Sequence, residues 1–260
     1  MKPMRSIIYP LTLLLLSSSP LCLAREKIIF TCAMSEDFPL KALSHKIYST
    51  AFDALGYDFE LRLSADLRSV VDAANGTTDG VCSRVYNYNE LSGIPNLIRV
   101  ESPVAKVAIE VWGRNTDLSM SATGDLPTAP STTDLLKVGH KRGSVWIERY
   151  LKTQHHADIT QLVDVPMGMK MLGGGRLDIF VGIGPQIGFA IKHFHLEDRV
   201  HLIGTLATLE LYPYLNIRHR ELAAPLAEQL NSFINEHKPL IKSWKREAKN
   251  EAFAPKPKYD

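Results

Sequence analysis

The stretch GTTDGVCSRVYNYNELSGIPNLIRVESPV, residues 76–104, decides the fold and carries the first candidate binding residue. Asn75-Gly76 and Asp79-Gly80 are dipeptides typical of turns. Val81-Cys82-Ser83 is too short for a helix and too apolar for an open loop, so we predict a strand that ends before Arg84. Ligands of open α/β sheets sit at the carboxyl ends of strands, where a guanidinium is a rigid two-pronged partner for a carboxylate or phosphate. The alternative for Arg84 is a surface ion pair.

Strands and helices alternate on both sides of this stretch, which predicts an α/β fold with parallel strands. Residues 115–133, rich in Ser, Thr, Gly, Asp and Pro, form the longest predicted loop. The predicted strands are 27–32, 59–63, 81–83, 104–112, 135–138, 159–163, 177–181, 200–203 and 206–217. The predicted helices are 40–55, 66–74, 146–152, 166–172, 184–192 and a C-terminal helix over 222–234.

The N-terminus has the pattern of a cleavable secretory signal peptide over residues 1–24. Lys2 and Arg5 precede an apolar run at 7–16, and Cys22-Leu23-Ala24 places small residues at the −3 and −1 positions of a cleavage site. The alternative is a buried N-terminal helix. No later run approaches the roughly 18 apolar residues of a membrane span. We therefore expect a soluble periplasmic product that begins at Arg25.

The charge balance argues against a polyanionic partner. The chain has 30 Lys and Arg and 28 Asp and Glu, and loss of Lys2 and Arg5 with the signal peptide makes the two counts equal at 28. A protein that binds nucleic acid or an anionic membrane needs a basic face. With 45% hydrophobic and 22% charged residues, the composition is that of an ordinary globular protein.

Two cysteines remain after residue 24, Cys32 and Cys82, each at the end of a predicted strand. An even number of cysteines in an exported protein is typical of a disulfide. Two buried free thiols are the alternative.

Two further segments could bind an anion through the backbone. Gly143-Ser144 precedes a predicted helix, whose first amides can bind an anion, or Ser144 can act as a plain N-cap. Gly182 follows a predicted strand and allows close backbone approach to a ligand, or simply forms a tight turn. His155-His156 fits solvated surface better than a zinc site, and we predict no catalytic group, metal or cofactor.

Five local patterns occur in a characteristic order along the chain. They are Asp79-Gly80 entering a strand, VESPV at 100–104, Val138-Gly139 with Gly143-Ser144, GRLDIF at 175–180, and the strand 212–216 before a C-terminal helix. Together they resemble the family 3 periplasmic solute-binding proteins, the amino-acid-type binding proteins of ABC importers, over about residues 26–250.

The resemblance implies a two-lobed, type II periplasmic binding protein-like α/β fold with mixed, mostly parallel sheets and flanking helices. Residues 25–107 and 207–260 would form lobe 1, residues 108–206 would form lobe 2, and two crossing strands would act as the hinge. The ligand would lie in the cleft between the lobes, which close over it. The family places the first and third strands side by side, which implies a Cys32–Cys82 disulfide.

The ligand groups depart from the family pattern. Its T-x-x-R motif for an α-carboxylate is absent, so Arg84 is assigned by chemistry alone, and the position of its acid for the α-amine falls in Gly182-Ile183-Gly184. Glu36, Asp37 or Glu210 could substitute. The candidate ligand residues are Arg84, Gly143, Ser144 and Gly182, with Phe38, Tyr86, Tyr88, Trp146 and Tyr212 as cleft walls or core residues.

These observations predict a non-enzymatic, monomeric binding protein for a small polar, carboxylate-bearing solute, with a membrane permease as partner. The second hypothesis is a sensory module of the same fold that signals to a membrane kinase or cyclase. A third is a dehydratase of small carboxylic acids, for which the sequence offers no positioned general acid. A binding protein that has lost its cleft chemistry is also compatible with the missing acid.

Overall fold

The structure, a computed structural model, describes residues 25–34, 36, 38–114, 116–128, 135–238 and 241–242. The predicted signal peptide, Asp37 and the C-terminal residues beyond Lys242 lie outside this description. Among the described helices, none combines the length and the apolar character needed to cross a membrane.

Strands and helices alternate along most of the described chain, as the sequence predicts. The strands are β1 (Lys27–Cys32), β2 (Asp58–Leu63), β3 (Gly80–Val85), β4 (Leu97–Arg99), β5 (Ala105–Gly113), β6 (Leu136–Lys141), β7 (Ala157–Leu162), β8 (Ile179–Ile183) and β9 (His201–Asn216). The helices are α1 (Lys41–Ala54), α2 (Asp66–Ala74), α3 (Tyr88–Ser92), α4 (Val145–Leu151), α5 (Val165–Gly173), α6 (Gly184–His193) and α7 (Ala223–Glu236), with a 3-10 helix at Ile217–Leu222.

Helix α1 shows how the hydrophobic spacing sets an element and its packing. Leu43, Ile47 and Ala51 repeat every fourth residue and are buried on one face. The chain leaves the helix through Gly56, whose φ of +84° lies in the left-handed region that glycine adopts at little cost. The buried face packs in one hydrophobic cluster with Leu226 of α7.

The strands that the structure describes join into one curled mixed sheet in the order β2-β1-β3-β9-β5-β8-β6-β7, with β4 paired to β9. β1 is parallel to β2 and β3, and β6 is parallel to β7 and β8. Every pair that involves β5 or β9 is antiparallel. Two parallel groups are therefore joined through β5 and β9.

The hydrophobic cores separate into two lobes on either side of β5 and β9. One lobe has two clusters built from β1–β4, α1–α3, α7 and the end of β9. The other has two clusters built from β6–β8, α4–α6 and the remaining parts of β5 and β9. We call these the first and the second lobe. The predicted boundaries at 107/108 and 206/207 stay predictions.

β9, with 16 residues, is the longest of the described strands, and it runs through both lobes. The sequence predicts two strands here, at 200–203 and 206–217. They form one strand because β5 pairs with β9 from Ala105↔Leu211 to Gly113↔His201, with two register shifts on the way. The described part of the predicted loop, residues 116–128, contains no helix or strand.

Three smaller differences from the sequence prediction have local causes. α3 and β4 were not predicted because they contain only five and three residues, below the length at which periodicity is visible. β8 begins at Ile179 rather than at 177. Lys137 N donates to the Asp178 side chain at 2.8 Å rather than to a backbone carbonyl of β8, and the paired residues begin at Val138↔Ile179.

Cys32 and Cys82 are bonded to each other, with a Cα–Cα distance of 5.2 Å. They lie at the ends of β1 and β3, which are neighbouring parallel strands, as the resemblance implies. The bond connects residues 50 positions apart and lies within the core of the first lobe.

Candidate functional site

A cavity of about 190 Å³ lies between the two lobes. Most of the side chains around it are apolar, and they come from both lobes and from β5 and β9. The first lobe contributes Ala33, Met34, Phe38, Leu40, Ser44, Asp66, Ser83, Arg84, Val85 and Tyr88. The second lobe and the crossing strands contribute Ala105, Val107, Ile109, Gly143, Ser144, Val145, Trp146, Ile147, Ile183, Pro185, Gln186, Leu209 and Leu211.

The crossing strands form one wall of this inner cavity. Ala105, Val107 and Ile109 line it because alternate residues of a strand share one face. Leu209 and Leu211 extend the same face onto β9. A solute in the cavity would therefore contact the strands about which the lobes can move.

Arg84 lies on the cavity wall, but the first lobe itself binds its guanidinium. Nη1 donates to Ser83 O at 2.8 Å, and Nη2 donates to Ser69 Oγ at 2.6 Å and to Asp66 O at 3.2 Å. Asp66 Oδ1 lies 3.1 Å from Nη2, and the Tyr88 ring centre lies 5.5 Å from Cζ. Arg84 therefore connects the start of α2 to β3 through a partly buried ion pair.

The second oxygen of Asp66 reaches across the cleft. Lys141 Nζ, at the end of β6 in the second lobe, lies 2.6 Å from Asp66 Oδ2. The side chains are only 17% and 15% exposed, so water screens the pair weakly. Burial lowers the pKa of the neighbouring His140 and so favours its neutral form. Arg84 and Asp66 thus border this cavity, and Lys141 lies just beyond it as the second partner of Asp66.

The backbone N–H groups before α4 already donate hydrogen bonds to other groups of the chain. Gly143 N donates to Glu148 Oε1 at 2.7 Å, and Ser144 N donates to Lys141 O at 3.3 Å. Gly143 has a φ of +84°, and a Cβ at this position would lie 3.1 Å from Leu67 Cδ2 of the first lobe. In this conformation the two predicted amide donors already have partners.

A wider cavity of about 520 Å³ lies outside the first one. The two cavities share Met34, Phe38, Asp66 and Gln186, and Lys141 borders the wider one. We call them the inner and the outer cavity. The rings of Phe38 and Phe189 meet edge to face across the cleft, with centroids 6.2 Å apart.

The structure brings six of the nine candidate ligand or cleft-wall residues to the inner cavity. These are Phe38, Arg84, Tyr88, Gly143, Ser144 and Trp146. Their role as ligand residues stays a prediction.

Three predicted ligand residues are not among the residues that line either cavity, namely Tyr86, Gly182 and Tyr212. Tyr86 is exposed under the guanidinium of Arg99, 3.5 Å from its ring centre. Tyr212 is buried and donates to Glu210 at 2.9 Å, and burial together with this hydrogen bond raises its pKa to about 12. Gly182 is buried within β8, with Phe180 and Ile187 against it.

Sequence reasoning missed Asp66 and Lys141, which are the most informative polar residues of the cleft. Asp66 was assigned only to the start of a helix, and Lys141 only to the loop before Ser144. Lys141 ends β6 and Asp66 follows β2, and these strand ends are where α/β sheets place ligand groups. The predicted strands ended at residues 63 and 138, three residues before each of them, so only a search that continued past the predicted strand ends would have reached both.

No protein-family model matches the chain. The sequence is 27% identical over 232 residues to an uncharacterized protein from Shewanella oneidensis, a match that covers 86% of this chain and 84% of the other.

Solved structures show the same architecture. The amino acid ABC transporter substrate-binding protein AbpA from Streptococcus pneumoniae, bound to L-arginine, gives a TM-score of 0.66 at 14% identity over 88% of this chain and 97% of that one. A histidine kinase sensor domain with similarity to periplasmic binding proteins gives 0.66 at 13% identity over 86% and 96%. The periplasmic VFT2 domain of BvgS from Bordetella pertussis gives 0.64 at 16% identity over 84% and 93%. This chain therefore has the two-lobed periplasmic binding protein-like fold.

Proposed function

We propose that this chain is an exported, monomeric solute-binding protein that captures a small carboxylate-bearing solute between its lobes and delivers it to a membrane permease. The observation that carries the proposal is the inner cavity, which side chains of both lobes line. A cavity completed by two lobes suits a protein that binds by hinge closure. β5 and β9 are the proposed hinge.

The preference for a carboxylate rests on the charges around Asp66, where the inner and outer cavities meet. Arg84 and Lys141 together carry one positive charge more than Asp66 can neutralise. An anionic group that enters between them gains charge-assisted hydrogen bonds in a partly desolvated place. The rest of the lining is mostly apolar and suits a hydrocarbon body.

The same residues favour a binding role over a dehydratase. Asp66 is the one acidic side chain among the described residues that line the inner cavity. Its carboxylate is held between two cations, which leaves it poorly placed to donate a proton as a general acid. We therefore propose a non-enzymatic function.

The experiment that tests this function compares solute binding by the parent protein with binding by a variant whose inner cavity is filled by a larger side chain. Thermal unfolding of the chain from Arg25 is measured against a panel of small carboxylates, amino acids, polyamines and short peptides. A solute at 100 times its Kd should stabilise the fold by about 2.7 kcal/mol. Ala105→Phe should abolish this shift while the solute-free protein keeps its melting temperature.

Ala108→Phe is the matched control, because Ala108 is on the opposite face of β5 and outside the cavity lining. It should retain the solute-induced shift. If both variants bind as the parent does, the inner cavity is not the binding site. If no solute on the panel stabilises the parent protein, free-solute capture is wrong.

A sensory role is the second candidate, and the Asp66–Lys141 pair favours it. An ion pair within the chain can hold the lobes together without help from a solute. Without solute, such a protein would be closed and would contact a membrane kinase or cyclase, and solute binding would end that contact. Uptake of the labelled solute by cells that lack the gene separates the two roles. Uptake is lost if the chain is a transport protein and is unchanged if the chain is a sensor.

A further inference from the structure

We infer that Lys141 is the specificity-determining residue of the cleft and selects carboxylates that carry no ammonium group. The inference rests on the proposed function, because it names the chemical class of solute at that site. The expected ligands are monocarboxylates with a small apolar body, and the corresponding α-amino acids are excluded.

Lys141 removes the acceptor that an ammonium group needs. Asp66 is the acid at the inner cavity, and Lys141 Nζ occupies its Oδ2 at 2.6 Å while Arg84 Nη2 lies 3.1 Å from its Oδ1. Each oxygen of Asp66 already contacts a cation. The ammonium group of a solute placed beside either oxygen would therefore be repelled by Lys141 or Arg84.

The other described acids around the cleft also have partners. Two border the outer cavity, Glu36 and Asp164. Glu36 pairs with Lys41, and Asp164 Oδ1 accepts from Met167 N at 2.7 Å as the cap of α5. Glu148, next to the inner cavity, accepts from Gly143 N. A zwitterionic solute would therefore bury its ammonium without an uncommitted carboxylate to pair with, which is unfavourable for a buried charge.

The inner cavity sets the size of the apolar body. A dry cavity of roughly 150 Å³ lined by aliphatic and aromatic side chains holds benzene. The inner cavity measures about 190 Å³ and is walled by residues such as Val107, Val145 and Leu209. A single aromatic ring or a branched aliphatic chain fits this space, with the carboxylate toward Lys141 at the boundary of the two cavities.

The test compares ligand pairs that differ only in the α-ammonium group. Binding of 3-phenylpropanoate and L-phenylalanine, and of 4-methylpentanoate and L-leucine, is measured by calorimetry. The parent protein should bind each acid at least about tenfold more tightly than its amino acid, since an unpaired buried charge outweighs a typical hydrogen bond. Equal or tighter binding of the amino acids overturns the inference and leaves the proposed function intact.

Lys141→Met tests the residue itself, because it frees Asp66 Oδ2 and removes one positive charge. The variant should bind the acids more weakly and the amino acids more tightly, and the ratio of the two affinities should change by at least about tenfold. Lys137→Met is the matched control, since Lys137 lies on the same strand, is exposed and lies outside both cavities. An unchanged ratio in a folded Lys141→Met protein overturns the inference.

Asp66→Asn provides a second variant with the opposite expectation. It leaves both cations without their carboxylate, so the acids should bind more tightly and the amino acids should stay weak. If the amino acids gain as much as the acids, the inference is wrong. If neither series binds the parent protein or either variant, the proposed carboxylate-binding function fails with it.

Discussion

Lys141 Nζ lies 2.6 Å from Asp66 Oδ2, and this ion pair joins the second lobe to the first. It is supported by the edge-to-face contact of Phe38 with Phe189. Arg149 of α4 adds a hydrogen bond to Leu91 O at 3.0 Å at another point between the lobes. The chain thus supplies its own contacts for closure, and the charged pair is the one that a solute carboxylate would compete with.

We predict that Lys141→Met shifts the solute-free protein toward an open arrangement of its lobes. Coupling energies of about 1–3 kcal/mol change a two-state ratio about 5- to 150-fold, so loss of the pair should be visible in the population. Small-angle scattering should give a larger radius of gyration for Lys141→Met than for the parent and for Lys137→Met. Identical scattering curves would show that the ion pair does not hold the lobes together.

The Cys32–Cys82 disulfide should make a large contribution to the stability of the first lobe. It closes a loop of 50 residues, for which the chain-entropy model gives about 4 kcal/mol. Replacing both cysteines by serine should lower the free energy of unfolding in urea by about that amount. A reducing agent should destabilise the parent protein and leave the double variant unchanged. Equal sensitivity of the two proteins to the reductant would contradict the bond.

Tyr214 positions the segment that carries Tyr88 to the inner cavity. Its hydroxyl donates to the carbonyls of Val85, at 2.8 Å, and Tyr86, and it accepts from Tyr88 N at 2.9 Å. Tyr214→Phe leaves a buried donor and two acceptors without this partner, so we expect a loss of about 1–3 kcal/mol in unfolding free energy. It should also weaken solute binding.

Tyr57→Phe is the control for this effect, since Tyr57 belongs to the same lobe but does not line the cavity. It should change the unfolding free energy and solute affinity little. A Tyr214→Phe protein that unfolds at the same urea concentration as the parent would show that the hydroxyl is dispensable.

The sequence predicts the helices and strands better than it predicts the chemistry of the cleft. The spacing of Leu43, Ile47 and Ala51 is local and fixes α1, and the turn at Asp79-Gly80 fixes the start of β3. The continuity of β9 depends on pairing with β5, nearly a hundred residues earlier in the chain, which no local pattern contains.

Arg84 shows why the site is harder to predict. It was predicted to follow a strand that ends at Ser83, but β3 continues to Val85, so Arg84 is the second-to-last residue of the strand, and the structure still brings it to the cavity wall. Its partner Asp66 is 18 residues away in sequence and approaches only because α2 packs beside β3. Lys141 joins the group only when the second lobe meets the first. The charge state of the cleft is thus a tertiary property.

The carboxyl group of Asp79 should make the free energy of unfolding depend on pH. It is buried where the 3-10 helix meets the first lobe, accepts from Ile29 N at 2.8 Å and contacts Arg218 Nη2 and His219 Nε2. Burial alone would raise the pKa of its carboxyl, but the hydrogen bonds from Arg218 and Ile29 N and the contact with His219 outweigh burial and lower it. The ionised form is therefore favoured in the folded state.

The sign of the pH effect follows from this lowered pKa. The stabilisation is present above the ordinary aspartate pKa of about 3.9, and it is lost as the pH falls through the lower pKa of the folded state. Asp79→Asn should reduce the free energy of unfolding by about 2 kcal/mol at pH 7, in the range for hydrogen bonds to a charged group. Urea unfolding from pH 7 down to about pH 3 should show this difference shrinking below about pH 4, as the parent carboxyl takes up its proton. A difference that stays constant across this range would mean that the Asp79 charge contributes nothing and that the variant acts through packing alone.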